Sequence, residues 1–233
     1  MLIAAHDIDK SYGQGSQTLR VLSDVEFCVE AGEMVVVVGP SGAGKSTLLH
    51  ILGGLDKPTR GQVLFKGQDL YAMSDEARSR ARNTAMGFVF QSYHLLPELT
   101  ALENVILPRL VQNNSRKTGA LEAEGLKLLE QLGLSPRAGH RPSELSGGEQ
   151  QRVAIGRALF NSPDVIFCDE PTGNLDSKSG AMVMDILLHV NRSRHQAVVI
   201  VTHDELIARH AHRIVAIKDG RIQAAATAAV EKI

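Results

Sequence analysis

Only two cysteines, Cys28 and Cys168, occur in 233 residues, far apart and without metal-ligand spacing. That argues against a disulfide scaffold, and a reducing compartment is the simpler reading. Charge of one sign is lacking too: 25 Lys and Arg stand against 26 Asp and Glu, a formal net charge of -1. This balance gives no electrostatic reason to expect nucleic acid or an anionic membrane surface as a partner. Long apolar runs are also missing. Met34 to Val38 and Ala197 to Val201 fall far short of the ~18 residues that suggest a spanning helix. The opening Met1-Leu2-Ile3-Ala4-Ala5-His6-Asp7 has no basic stretch and no extended apolar one, so no signal peptide is expected. The expectation is a soluble polypeptide that reaches a membrane, if at all, through another protein.

What is present reads as one large domain, 1–233, with ample material for a core. Val35-Val36-Val37-Val38 is a short β-branched run entering Gly39, and Lys45 to Leu52 reads as a helix. Val165-Ile166-Phe167-Cys168 and Val198-Val199-Ile200-Val201 are all-apolar, as in buried parallel strands, with a helix over Lys178 to Val190 between them. The fold class is therefore α/β with a mostly parallel sheet, the setting that a P-loop NTPase core would require. Residues 1–33 and Gly61 to Gly67 look like short antiparallel strands of an N-terminal β subdomain. Residues 92–148 read as an inserted helical subdomain, with Leu121, Leu128, Leu129 and Leu132 spaced for a buried face; 1–91 and 149–233 form the core. Asp219-Gly220 predicts a two-residue hairpin. The alanine-rich tail from Ala224 to Val230 predicts a frayed helix or disorder.

Gly39-Pro40-Ser41-Gly42-Ala43-Gly44-Lys45-Ser46, followed by Thr47, fits the phosphate loop G-x-x-x-x-G-K-[ST] in its required strand–loop–helix setting. Backbone N–H groups at a helix start attract phosphate, and glycines let the chain come close. Lys45 should reach the β and γ oxygens, and the Ser46 hydroxyl should ligate Mg2+. Asp169 and Glu170 end the strand Val165 to Cys168. Asp169 suits the metal shell, and Glu170 suits a general base acting on the attacking water. Ser146, Gly147 and Gly148 open a helix and make a second anion site, although alone they would read as a serine N-cap with a glycine turn. One nucleotide needs one cradle, so a second phosphate element suggests a second copy of the chain. His210 and His212 read as surface histidines, Cys168 as an inert buried thiol, and Arg78, Arg80 and Arg82 as a solvated basic face.

Together with Leu145-Ser146-Gly147-Gly148-Glu149, the phosphate loop resembles the ATPase subunits of ATP-binding cassette (ABC) transporters. In that family the signature of one subunit closes over ATP held by the other. The resemblance covers nearly the whole chain and implies further roles. Gln91 would be a neutral ligand to magnesium and water, and His203 would contact the γ-phosphate. Tyr12 would stack on adenine, and Asn174-Leu175-Asp176 would lie at the dimer interface.

Ser46 to Asp56, His94 to Val105 and His140 to Leu145 resemble the ATPases of bacterial lipoprotein-releasing complexes. The MacB-type export ATPases share much of this, including Pro171 to Asp176. The implied setting is peripheral, on the cytoplasmic face of the inner membrane, with integral permease subunits as partners, ATP and Mg2+ as cofactors, and no nucleic acid. A soluble ABC ATPase would be expected to carry a coiled-coil insertion, zinc cysteines or two cassettes in one chain. A P-loop kinase or GTPase would not need Leu145 to Glu149.

Overall fold

Val35 and Val37 of strand β3 (Met34–Val38) pack on one side, Met34 and Val36 on the other, and the core is divided along that alternation. The same split holds in β7 (Val165–Asp169), where Val165 and Phe167 oppose Ile166 and Cys168. It holds again in β8 (Ala197–Thr202). Strands buried on both faces must be apolar throughout, which is why these runs carry no polar alternation. The structure, a computed structural model, describes residues 1–13, 18–112 and 118–223. The tail from Ala224 to Val230 lies outside them.

Six strands form the main sheet in the order β10-β9-β3-β8-β7-β6, with β6 at Met86–Phe90, β9 at Arg213–Lys218 and β10 at Arg221–Ile222. All neighbours are parallel except β9 and β10, which make the expected hairpin. Asp219 and Gly220 turn it with φ of 50 and 72°, the positive pair that a tight hairpin requires. One face of the sheet packs on α1 (Lys45–Leu52) and on a second, antiparallel sheet of order β2-β1-β4-β5. That sheet comprises β1 (Ile3–Tyr12), β2 (Leu19–Val29), β4 (Arg60–Phe65) and β5 (Gln68–Asp69). Its first two strands are long rather than short, at 10 and 11 residues. Register shifts along β1 bend it around the core.

The other face carries α3 (Ala101–Gln112), α4 (Thr118–Gln131), α5 (Gly147–Leu159) and α6 (Ser177–Arg194). Leu128, Leu129 and Leu132 are buried there, and Leu121 packs against them. A further helix, α2 (Asp75–Ala85), buries none of its residues and leads into β6. It corrects the reading of the three arginines. Of the three, Arg80 alone is solvated, with 72% of its side chain exposed while it pairs with Glu76 at 2.9 Å. Arg78 lies against the Tyr71 ring and pairs with Asp75, and Arg82 donates to the Gly54 carbonyl. His210 and His212 are exposed, and His212 Nδ1 accepts from the Met34 N–H at 2.8 Å. Cys168 is fully buried, and burial pushes its thiol pKa up.

Candidate functional site

Parallel strands deliver their carboxyl ends to one edge of the sheet, the place where open α/β sheets bind ligands. Val38 pairs with Thr202, Asp169 with Val201 and Phe90 with Asp169, so four chain segments leave the sheet side by side. Those segments begin with Gly39, His203, Glu170 and Gln91. Between them lies a cleft of about 720 Å³ lined by Ser41, Gly42, Gly44, Lys45, Ser46, Thr47, Gln91, Asp169, Glu170 and His203, with Val21 of β2 closing one side.

The loop before α1 is built for an anion. Gly44 is its N-cap in a left-handed conformation, φ 100°, and no side chain caps the first turn. The N–H groups there are left for a ligand. Gly39 is fixed for a different reason: a Cβ would lie 2.2 Å from the Ile217 main-chain oxygen. Lys45 is buried to 7% exposure, its ammonium donating to the carbonyls of Gly39 at 2.8 Å and Pro40 at 3.0 Å. Ala43 is buried within the loop.

Opposite the loop, Ser46 donates to Asp169 Oδ1 at 2.9 Å. Burial pushes the Asp169 carboxyl above the usual range, and the bond from Ser46 only partly opposes it. A half-buried carboxylate, a hydroxyl and the Gln91 amide form a hard-oxygen set that suits Mg2+ supplemented by phosphate and water. Next to it, Glu170 is held by three donors: Thr202 Oγ1 to Oε2 at 2.9 Å, and both the His203 N–H (3.1 Å) and the ring Nδ1 (2.8 Å) to Oε1. Its φ of 45° is unusual for a side-chain-bearing residue and is of the kind stored at functional sites. With Nδ1 bound to Glu170, the other ring nitrogen of His203 is the one left to meet a ligand.

Tyr12 does not line the cleft; its ring is exposed, lies against Lys10 and is tied through its hydroxyl to Asp56 Oδ2 at 2.5 Å. Ser146, Gly147 and Gly148 also lie outside it. Ser146 is the N-cap of α5, its hydroxyl and N–H joined to Glu149 in a reciprocal capping box. Inside the chain α5 is anchored to the segment after Glu170, since the buried Gln151 amide donates to the Pro171 carbonyl at 2.5 Å. Asp176 caps α6 through the N–H groups of Lys178 and Ser179.

The capping box has a testable cost. The Ser146 N–H, opposed in part by desolvation and helped by the Ser146 hydroxyl and Arg137, holds the Glu149 carboxyl at about 2 against an ordinary 4.5. A depressed carboxylate stabilises the fold fully above the unfolded value and loses that contribution as pH falls toward the folded one. Glu149→Gln should lower the melting midpoint at pH 7 by about 2–4 °C, from roughly 1 kcal/mol. The gap to wild type should close between pH 4.5 and 2 in denaturant titrations.

Sequence reasoning missed Val21, Thr202 and Asp56. Each is a partner supplied from a distant part of the chain, and Val21 carries no chemical signal of its own.

A phosphate loop, a buried strand ending in two carboxylates and a separate capped Leu-Ser-Gly-Gly-Glu helix start define a nucleotide-hydrolysing cassette. The profile of the ABC transporter family matches residues 22–173, and the chain belongs to that family as an ATP-hydrolysing subunit. It is similar to the lipoprotein-releasing system ATP-binding protein LolD of Xanthomonas euvesicatoria pv. vesicatoria, 46% identical over 229 residues spanning 98% of this chain and 93% of that protein. LolD of Xanthomonas axonopodis pv. citri matches to the same extent, at 46%. Among solved structures, the dimeric post-hydrolysis ATP-binding cassette MJ0796 bound to ADP and Pi superposes with a TM-score of 0.90 at 40% identity, covering 97% of this chain and 98% of that one. Another dimeric structure of MJ0796, a bacterial ABC transporter cassette, also scores 0.90.

Proposed function

We propose that this chain powers release of lipoproteins from the bacterial inner membrane, as the ATPase of a complex with LolC/LolE-like permease subunits. Two copies would sandwich ATP at the cytoplasmic face, attached there peripherally. Among the described residues no helix is long and apolar enough to cross a membrane. The observation that carries the paired reading is the separation of Ser146, Gly147 and Gly148 from a cleft that otherwise holds a phosphate loop, a metal-suited carboxylate and a base. Similarity to LolD along 98% of the chain supports the choice of cargo.

In this reading residues 39–47 grip the phosphates, and Lys45 neutralises their outer oxygens. Ser46, Asp169 and Gln91 would hold magnesium, which would screen the phosphate charge and polarise the terminal phosphoryl group. Glu170 takes the proton of the attacking water, and His203, oriented by its bond to Glu170, contacts the γ-phosphate. Tyr12 supports the adenine. The inserted helical segment, 92–148, follows directly on Gln91 and ends at the signature, so it can relay γ-phosphate occupancy to the permease. ATP favours the closed pair because only that state satisfies both phosphate elements, and hydrolysis releases it.

Tagged Glu170→Gln protein, recovered from its host's detergent-solubilised membranes with ATP and magnesium, should bring down two different membrane subunits, each with a large periplasmic domain. A single membrane subunit serving both halves would favour a MacB-like exporter. Recovery of no membrane protein would sink the transporter reading.

A further inference from the structure

Asn174 stands 83 residues from Gln91 in sequence and bonds it twice. Its Nδ2 donates to the Gln91 main-chain oxygen, and its Oδ1 accepts from Gln91 Nε2, both at 3.1 Å. A main-chain carbonyl can only accept, so the Asn174 nitrogen must be the atom that faces it. The Asn174 oxygen is then turned toward the Gln91 side chain, which must answer with its NH2. The orientation of both amides is thus set by a group with no alternative. The atom of Gln91 left over is Oε1, and Gln91 lines the cleft together with Ser46 and Asp169.

From this geometry we infer that Asn174 is a positioning residue for the divalent cation: it holds the Gln91 amide so that oxygen, and not NH2, meets the metal. The inference rests on the reading of Gln91 as a metal ligand. The surrounding backbone serves the same end. Phe90 is paired with Asp169 across β6 and β7, so Gln91 and Glu170 leave the sheet as neighbours. The Gly173 N–H closes a turn onto the Glu170 carbonyl at 3.1 Å, which swings Asn174 back over the end of β6. A Cβ at Gly173 would stand 2.9 Å from Gln91 Nε2, so the bare glycine leaves room for the amide. Gln91 and Asn174 are both exposed. Without Asn174, water would satisfy either orientation of the Gln91 amide, and half of the choices would point a donor at the cation.

The test is a binding measurement. A fluorescent non-hydrolysable ATP analogue is titrated into full-length protein with Mg2+ and again with EDTA, and the ratio of the two affinities reports metal engagement. Asn174→Ala should reduce that ratio by about 10-fold, in line with the loss of a group that orients a metal ligand, while the affinity in EDTA stays unchanged. In a Gln91→Glu background the two side-chain oxygens are equivalent, so Asn174→Ala should cause no further reduction. If Gln91→Ala reduces the ratio and Asn174→Ala does not, the positioning role is overturned and the ligand reading stands. If Gln91→Ala leaves the ratio intact, the ligand reading fails and the positioning role with it. Equal loss in both backgrounds, or weaker binding in EDTA, would make Asn174 merely structural and would also overturn the inference.

Discussion

Glu170→Gln should lower ATP turnover by about 10²–10⁴-fold, the span expected on removing a general base, while ATP affinity is kept. The local geometry explains why the substitution is clean. The two bonds from His203 both end on Oε1, which the amide oxygen can replace. The third donor, Thr202, is a hydroxyl whose oxygen also accepts from the Asp204 N–H, so it can accept from the new NH2 while its own proton turns away. The variant loses proton affinity and little else. Phosphate release under saturating Mg-ATP, set beside an equilibrium ATP titration, checks both halves. A loss of less than 10-fold would remove Glu170 from the role of base.

Lys45→Ala should act on the other side of the reaction coordinate, weakening ATP binding by at least about 30-fold. Truncating one member of a buried, hydrogen-bonded charge contact costs ~2–5 kcal/mol, and Lys45, a residue only 7% exposed, would make such a contact with a bound phosphate. Without a phosphate to meet, the same ammonium donates to the neutral carbonyls of Gly39 and Pro40 and interacts with the Asp169 carboxylate. Its removal takes a desolvated charge out of the fold, so the stability of the free protein should change little. The decisive readout is thermal: ATP should raise the melting midpoint of the wild type and fail to raise that of Lys45→Ala at equal ligand. Stabilisation of both by ATP would place the phosphates away from Lys45.

The parts of the site that could be read along the chain are those whose chemistry is local. Residues 39–47 adopt their loop because of their own glycines and the strand before them, and Asp169-Glu170 follows directly from the apolar run that buries β7. What could not be read is the set of partners brought in from afar: Thr202 on Glu170, 32 residues on, Asp56 on Tyr12, 44 residues on, and Asn174 on Gln91. No periodicity announces those pairings. The first and last of them come from strand order, in which β8 and β6 both border β7 although β8 follows it and β6 precedes it. Helix α2 was hidden for the opposite reason. It buries nothing, so it has no apolar stripe, and its signals were a Ser74 N-cap with Asp75 and Glu76 in the first turn. Ser146 is a middle case. The sequence allowed either an N-cap or an anion site; the capping box establishes the first and takes up the Ser146 hydroxyl and N–H and the Glu149 N–H, so the second would rest on the N–H groups of Gly147 and Gly148.

Ser146, Gly147 and Gly148 stand apart from the cleft of their own chain, yet Gln151 ties their helix to the segment that follows Glu170. Under the paired arrangement, no chain is a complete catalyst, and each lends part of itself to its neighbour's reaction. The consequence is genetic. A host expressing Glu170→Gln protein beside the wild type would distribute the defect through most of its transporters, since a pair is compromised by either member. The mutant gene would be dominant, in a way that a self-sufficient enzyme's would not.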